Sequence, residues 1–122
     1  MSPFDLTGRV ALVTGGGRGI GAGIVTRFAE AGVRVVAANR TQDAARDLAE
    51  RLPAQGLSVT SAALDDRSRR ALAGLVNGVV ERHGRLDILV HNAGGCPWAS
   101  LDELDEAKLD SALDINLKAA FW

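Results

Sequence analysis

The sequence predicts an α/β domain: a parallel β-sheet covered by helices on both faces. Two observations carry this. Short apolar runs alternate with longer segments of helical periodicity, giving the order β-α-β-α-β-α-β-α. A glycine-rich turn also joins the first apolar run directly to the first helical one.

Taken in order, "RVALVT" (Arg9–Thr14) reads as a buried strand running into "TGGGRGIGAG" (Thr14–Gly23), which holds six glycines in ten residues. Ile20, Ile24 and Phe28 then recur at helical spacing, with Gly32 as the stop. "VRVVAAN" (Val33–Asn39) is the second strand. Thr41 is placed to cap a helix with an apolar stripe of Ala45, Leu48 and Leu52, ended by Pro53. "LSVTSAAL" (Leu57–Leu64) alternates and is β-branched, as a third strand should be. Asp66 or Ser68 caps the next helix, lined by Leu72, Leu75, Val76 and Val79. "LDILVHNAG" (Leu86–Gly94) is a fourth strand leading into a loop. Ser100 and Glu103 have capping-box spacing before a last helix, along which Leu109, Leu113, Leu117 and Phe121 repeat.

Bulk properties narrow the function. In 122 residues, 47% are apolar, 24% are charged and the net charge is −1. That balance suits a globular domain and argues against nucleic acid or an anionic membrane as partner. A lone Cys96 cannot form an internal disulfide, which points to a reducing compartment. No apolar run approaches the ~20 residues of a spanning helix. "MSPFDLTGRV" lacks the apolar middle of a secretory signal, so a cytoplasmic location is expected.

A glycine turn between a first strand and a first helix suits a phosphate. The helix N-terminus offers unpaired N–H groups and a positive dipole end, and glycines let the backbone come close. The register G-x-G-x-x-G is absent, and Ala22 stands where a P-loop needs lysine. The spacing present is Gly15-x-x-x-Gly19-x-Gly21, preceded by Thr14.

These residues resemble the N-terminal half of a short-chain dehydrogenase/reductase. "TGGGRGIG" matches the family's TGxxxGIG motif. "HNAG" (His91–Gly94) matches its NNAG motif except at His91. "LDD" (Leu64–Asp66) ends strand three like the family's adenine-binding acid, and "DIN" (Asp114–Asn116) carries the asparagine of its catalytic tetrad. The resemblance implies a partial Rossmann-like doubly wound sheet of strand order 3-2-1-4. It makes Gly15, Gly16, Gly17, Arg18, Gly19, Ile20 and Gly21 the cofactor loop. Asp65 would accept from the adenine amino group. Asn92, with Ala93 and Gly94, would lie beside the ribose and brace strand four. Asn116 would hold a relay water, and a homo-oligomer, dimer or tetramer, is implied for the full-length parent.

The residue closing strand two faces the adenosine ribose in such domains, where a carboxylate selects NAD. Here it is neutral Asn39, followed by Arg40, with Arg18 across the ribose in the glycine loop. Two guanidinium groups converging on a 2′-phosphate select NADP(H). The expected activity is hydride transfer between nicotinamide and a secondary alcohol or ketone. The alternatives are a nucleotide-binding or interaction module without catalysis, and a flavodoxin-like binding domain.

The family's serine, tyrosine and lysine are not matched: the chain has no tyrosine, and its serines precede the strand where the catalytic one belongs. Residues 1–122 are therefore expected to be the cofactor-binding half of one domain, ending inside the helix of Asn116, without strands five to seven and inactive alone. Ile88–Val90 would then be an open edge, and the chain would self-associate through it and the last helix. Cys96 reads as a small packed thiol and His83 as a surface residue whose charge suits a helix C-terminus. Trp98 either lines the substrate mouth or packs a loop. No metal-ligand spacing is present.

Overall fold

The computed structural model describes residues 4–65, 68–95 and 99–122. Four strands, β1 (Val10–Thr14), β2 (Arg34–Asn39), β3 (Val59–Ala63) and β4 (Ile88–His91), form one parallel sheet in the order β3-β2-β1-β4. Thr14 lies opposite Ala38 on one side and His91 on the other, so the C-terminal ends of three strands finish level. Asp87, just before β4, ties the N-terminal ends of β1 and β4. It accepts from the Val10 N–H at 2.9 Å and pairs with Arg85 at 2.7 Å and Arg9 at 3.6 Å.

Alternation along the strands builds two cores. Ala11, Val13, Val35 and Ala37 face Val25 and Ala29 of α1 (Gly19–Glu30) and Ala45, Leu48 and Leu52, on or just after α2 (Gln42–Arg51). Val10, Leu12, Val36 and Ala38 face Leu72 and Val79 of α3 (Arg69–His83), together with Ala119. Every residue of β1 is buried. Burying a side chain such as Leu12 contributes roughly 1.5–3 kcal/mol.

The predicted stripe of the first helix is corrected. Gly21, Val25 and Ala29 form its buried face, while Ile20 is 78% exposed. The glycine turn brings α1 so close to β1 that only small residues fit beneath it. Ile24 and Phe28 pack partly buried at the margin of the same core, and with Ile20 and Val90 they line an apolar groove.

Two capping expectations also change. Thr41 stands at the N-cap of α2 but its side chain makes no capping bond. Ser68 does cap α3, accepting from the Ala71 N–H at 3.1 Å, and Asp66 lies outside the described residues. The Ser100–Glu103 box closes only on a single 3₁₀ turn, Leu101–Glu103. Leu104 is extended and interrupts the helix there, and α4 (Glu106–Leu113) starts from Asp105, which accepts from the Lys108 N–H at 2.8 Å.

The last helix is not one α-helix. A π-helical turn, Asp114–Lys118, separates α4 from α5 (Ala119–Phe121). Leu109, Leu113, Leu117 and Phe121 are all exposed, and so is Leu89 on β4.

His83 departs from its expected role as a surface cation. Burial, with the charges of Arg34 and Arg82 nearby, holds its pKa below the ordinary histidine range. Its Nε2 is buried with no hydrogen-bond partner among the described residues.

Candidate functional site

β1 ends in Thr14, and its hydroxyl joins the loops on either side of it. Thr14 Oγ1 accepts from the N–H groups of Asn92 and Ala93, both at 3.1 Å, and lies 3.5 Å from the Val90 carbonyl. Asn92 returns the contact, its Nδ2 donating to the Gly15 carbonyl at 3.1 Å. The turn after β1 is thus fastened to the loop after β4. On its other side, the Gly15 N–H donates to the Ala38 carbonyl at 2.8 Å, and the Gly17 N–H donates to Asn39 Oδ1 at 2.7 Å.

The glycines divide into two kinds. A Cβ at Gly21 would run into the Gly15 carbonyl oxygen and lie 2.6 Å from Asn92 Nδ2. One at Gly17 would lie 2.7 Å from the Ala45 nitrogen. These two, with Gly16, let the turn pack against α1, α2 and β4. Gly19 instead has φ +52 and nothing within 4 Å, so it leaves the mouth of α1 open. The first turn of α1 has no acidic residue and no side-chain cap. Among the described residues the N–H groups of Gly19, Ile20 and Gly21 have no backbone acceptor, so they can meet an anion, and the residues present fit a pyrophosphate.

A cavity of about 270 Å³ opens at this end of the sheet. It brings together six expected residues: Gly15, Asn39, Arg40, Asn92, Ala93 and Gly94. Ala38, Leu64 and Ile115 complete the lining. Sequence reasoning missed these three and the bracing role of Thr14. Ala38 and Leu64 had a usable signal: they sit at or just beyond the carboxyl ends of strands, where ligands of open α/β sheets bind. Gly16, Gly17, Arg18, Gly19, Ile20 and Gly21 do not line the cavity, and Arg18 is exposed at the N-cap of α1. Asp65 is exposed beside Leu64.

His91 brings no strand-bracing bond through Nε2, which is buried without a hydrogen-bond partner among the described residues. Thr14 and Asn92 do that bracing. Asn116 sits in the π turn and clasps the loop after β4. Its Oδ1 accepts from the Gly95 N–H at 3.2 Å, and its Nδ2 donates to the carbonyls of Gly95 and Ala112. A side chain at Gly94 would collide with it, at 2.7 Å from Asn116 Oδ1. Cys96 and Trp98 lie outside the described residues. Among the described residues no group of acids, histidines or cysteines is placed to hold a metal ion, and no helix is long and apolar enough to cross a membrane.

Strand order and glycine turn together define a Rossmann-like α/β sheet. The short chain dehydrogenase family model matches residues 9–122, and the chain belongs to that family. It is 36% identical over 118 residues to the (2S)-[(R)-hydroxy(phenyl)methyl]succinyl-CoA dehydrogenase subunit BbsD of Thauera aromatica, covering 97% of this chain and 48% of that one. It is 38% identical over 118 residues to a rhamnolipids biosynthesis 3-oxoacyl-[acyl-carrier-protein] reductase of Pseudomonas aeruginosa, covering 97% and 46%. Among solved structures, a metagenomic short-chain oxidoreductase in complex with NADP superposes with a TM-score of 0.91 at 37% identity, covering 96% of this chain and 53% of that one. The chain spans about half the length of the curated relatives it matches.

Proposed function

We propose that these residues form the cofactor-binding part of an NADP(H)-dependent oxidoreductase acting on a secondary alcohol or ketone. The observation that carries this reading is Asn39 followed by Arg40, both on the wall of the cavity where β1, β2 and β4 end. A neutral amide there does not repel a 2′-phosphate, and a guanidinium beside it attracts one. Arg18, exposed on the neighbouring turn, is the second cation. The NADP complex of a structural neighbour supports the same choice.

The α1 N-terminus and the glycine turn would hold the pyrophosphate, Asp65 the adenine amino group, and Asn92 to Gly94 the nicotinamide-side ribose. When bound, NADP(H) supplies the hydride that is exchanged with the substrate carbon. Asn116 holds the loop after Asn92 in place, its amide being spent on Gly95 and Ala112. No tyrosine is present to give the alkoxide a proton, so these 122 residues bind cofactor without turning substrate over.

Calorimetric titration with NADPH and NADH tests the reading. The expected result is tighter NADPH binding, reversed in Arg40→Asp. Loss of one charge-assisted hydrogen bond weakens NADPH about tenfold to a hundredfold. Equal affinities for both cofactors, before and after mutation, would refute the selector.

A further inference from the structure

Asn39 ends β2 with its side chain against the glycine turn. Its Oδ1 accepts from the Gly17 N–H at 2.7 Å. Only the carbonyl end of a carboxamide can accept from an N–H, so this bond decides which end faces which way. The Nδ2 amino group makes no hydrogen bond among the described residues. The same side chain lines the cavity beside Arg40.

Gly17 sits where the turn presses on the start of α2, with room for no side chain: a Cβ would meet Ala44 Cβ at 2.8 Å. Gly17 N–H has no backbone acceptor among the described residues, whereas the Gly15 N–H has the Ala38 carbonyl. The shape of the turn at Gly17 therefore depends on one side chain from a neighbouring strand.

We propose that Asn39 is a positioning residue for the phosphate-binding turn, and that its bond to Gly17 commits the other end of its amide to present only donors to an anionic group in the cavity. The second half rests on the NADP(H) reading; the first does not. The two roles are chemically separable. Aspartate at position 39 keeps an acceptor for the Gly17 N–H and replaces the amino group by a second carboxylate oxygen. Alanine removes both.

The experiment reads the Gly17 amide directly, by hydrogen exchange in the cofactor-free chain, alongside titrations with NADPH, NADH and adenosine 2′,5′-bisphosphate. In Asn39→Ala the Gly17 amide should exchange at least tenfold faster and both cofactors should weaken, because the turn serves both, with NADPH losing the donor contact in addition. In Asn39→Asp the Gly17 amide should stay within about twofold of the parent. NADPH and the bisphosphate should weaken at least tenfold more than NADH, the loss expected when a donor is exchanged for a charge of the wrong sign. Unchanged Gly17 exchange in Asn39→Ala overturns the positioning role. If that variant does not fold, fast Gly17 exchange in folded Asn39→Asp overturns it equally. Equal weakening of both cofactors in Asn39→Asp overturns the donor role. A parent chain that prefers NADH defeats the NADP(H) reading yet leaves the exchange result standing, so the two failures are distinguishable.

Discussion

β1 and β4 are written in similar letters, "VALVT" and "ILVH", and pair in register, yet they live in different surroundings. β1 has β2 on one side, β4 on the other and helices over both faces, and all five of its residues are buried. β4 has a neighbour on one edge only, and Leu89 in its middle is 57% exposed. An apolar run specifies a strand; burial is conferred by whatever stands on its edges and faces. Exposed apolar side chains line β4, α4 and α5, and Ile20 at the start of α1 is a further one.

The sharpest test of this contrast is a pair of leucines. Leu12→Ala should cost about 2–5 kcal/mol in urea unfolding, because it empties a closed core. Leu89→Ala should cost well under 1 kcal/mol. Comparable losses would mean that β4 is covered in solution, and light scattering across a dilution series would then show self-association. A second pair probes the glycines. Gly21→Ala forces a Cβ into the Gly15 carbonyl and should cost roughly 3 kcal/mol, at the upper end of overpacking, and abolish cofactor binding. Gly23→Ala, two residues on with nothing within 4 Å, should stabilise α1 by about 0.5–1 kcal/mol.

Thr14→Val tests the tie between the two regions. It preserves shape but leaves the N–H groups of Asn92 and Ala93 without their acceptor, a loss of about 1–3 kcal/mol. Thr14→Ser should restore most of it. The smallest effect concerns His83, far from the site at the other end of the sheet. Its folded pKa lies below the ordinary value of about 6.5, so the unfolded chain binds the extra proton more readily. Stability should be fully present above pH 6.5 and decline as pH falls below it. His83→Gln should flatten that limb of a pH series of melting curves.

How much of this was legible in the sequence depends on the range of the signals. The four strands, the Gly32 stop and the stripe Ala45, Leu48, Leu52 are set by local pattern, and they stand. Four of the cavity residues, Gly15, Asn92, Ala93 and Gly94, came from motifs that specify backbone geometry, and Asn39 and Arg40 from their place at the end of the second strand. The α1 stripe held only in part: Ile24 and Phe28 pack partly buried against the core, but Ile20 is exposed and the fully buried face is Gly21, Val25 and Ala29, where Gly21 meets the Gly15 carbonyl. The Ser100–Glu103 box was a real box on too short a turn. Ile115 was unreadable as a site residue, because what makes it one is the convergence of segments remote in sequence. Thr14 was in view, but its two acceptor bonds depend on where β4 ends.

The π turn at Asp114–Lys118 has a consequence for tolerance to insertion and deletion. A helix advances about 100° per residue. A π turn carries one residue more than an α turn, so it acts as a phase-shifter: Ala119 faces the core while Leu117 is left in solvent. Removing a single residue from this segment would restore an ordinary α-helix. The wide turn already absorbs its extra residue, so Ala119 would keep its face on the sheet, whereas the Asn116 amide, which sits in that turn, would lose its place against Gly95. The extra residue thus serves the clasp between Asn116 and the loop after β4, and the core beneath Ala119 does not depend on it.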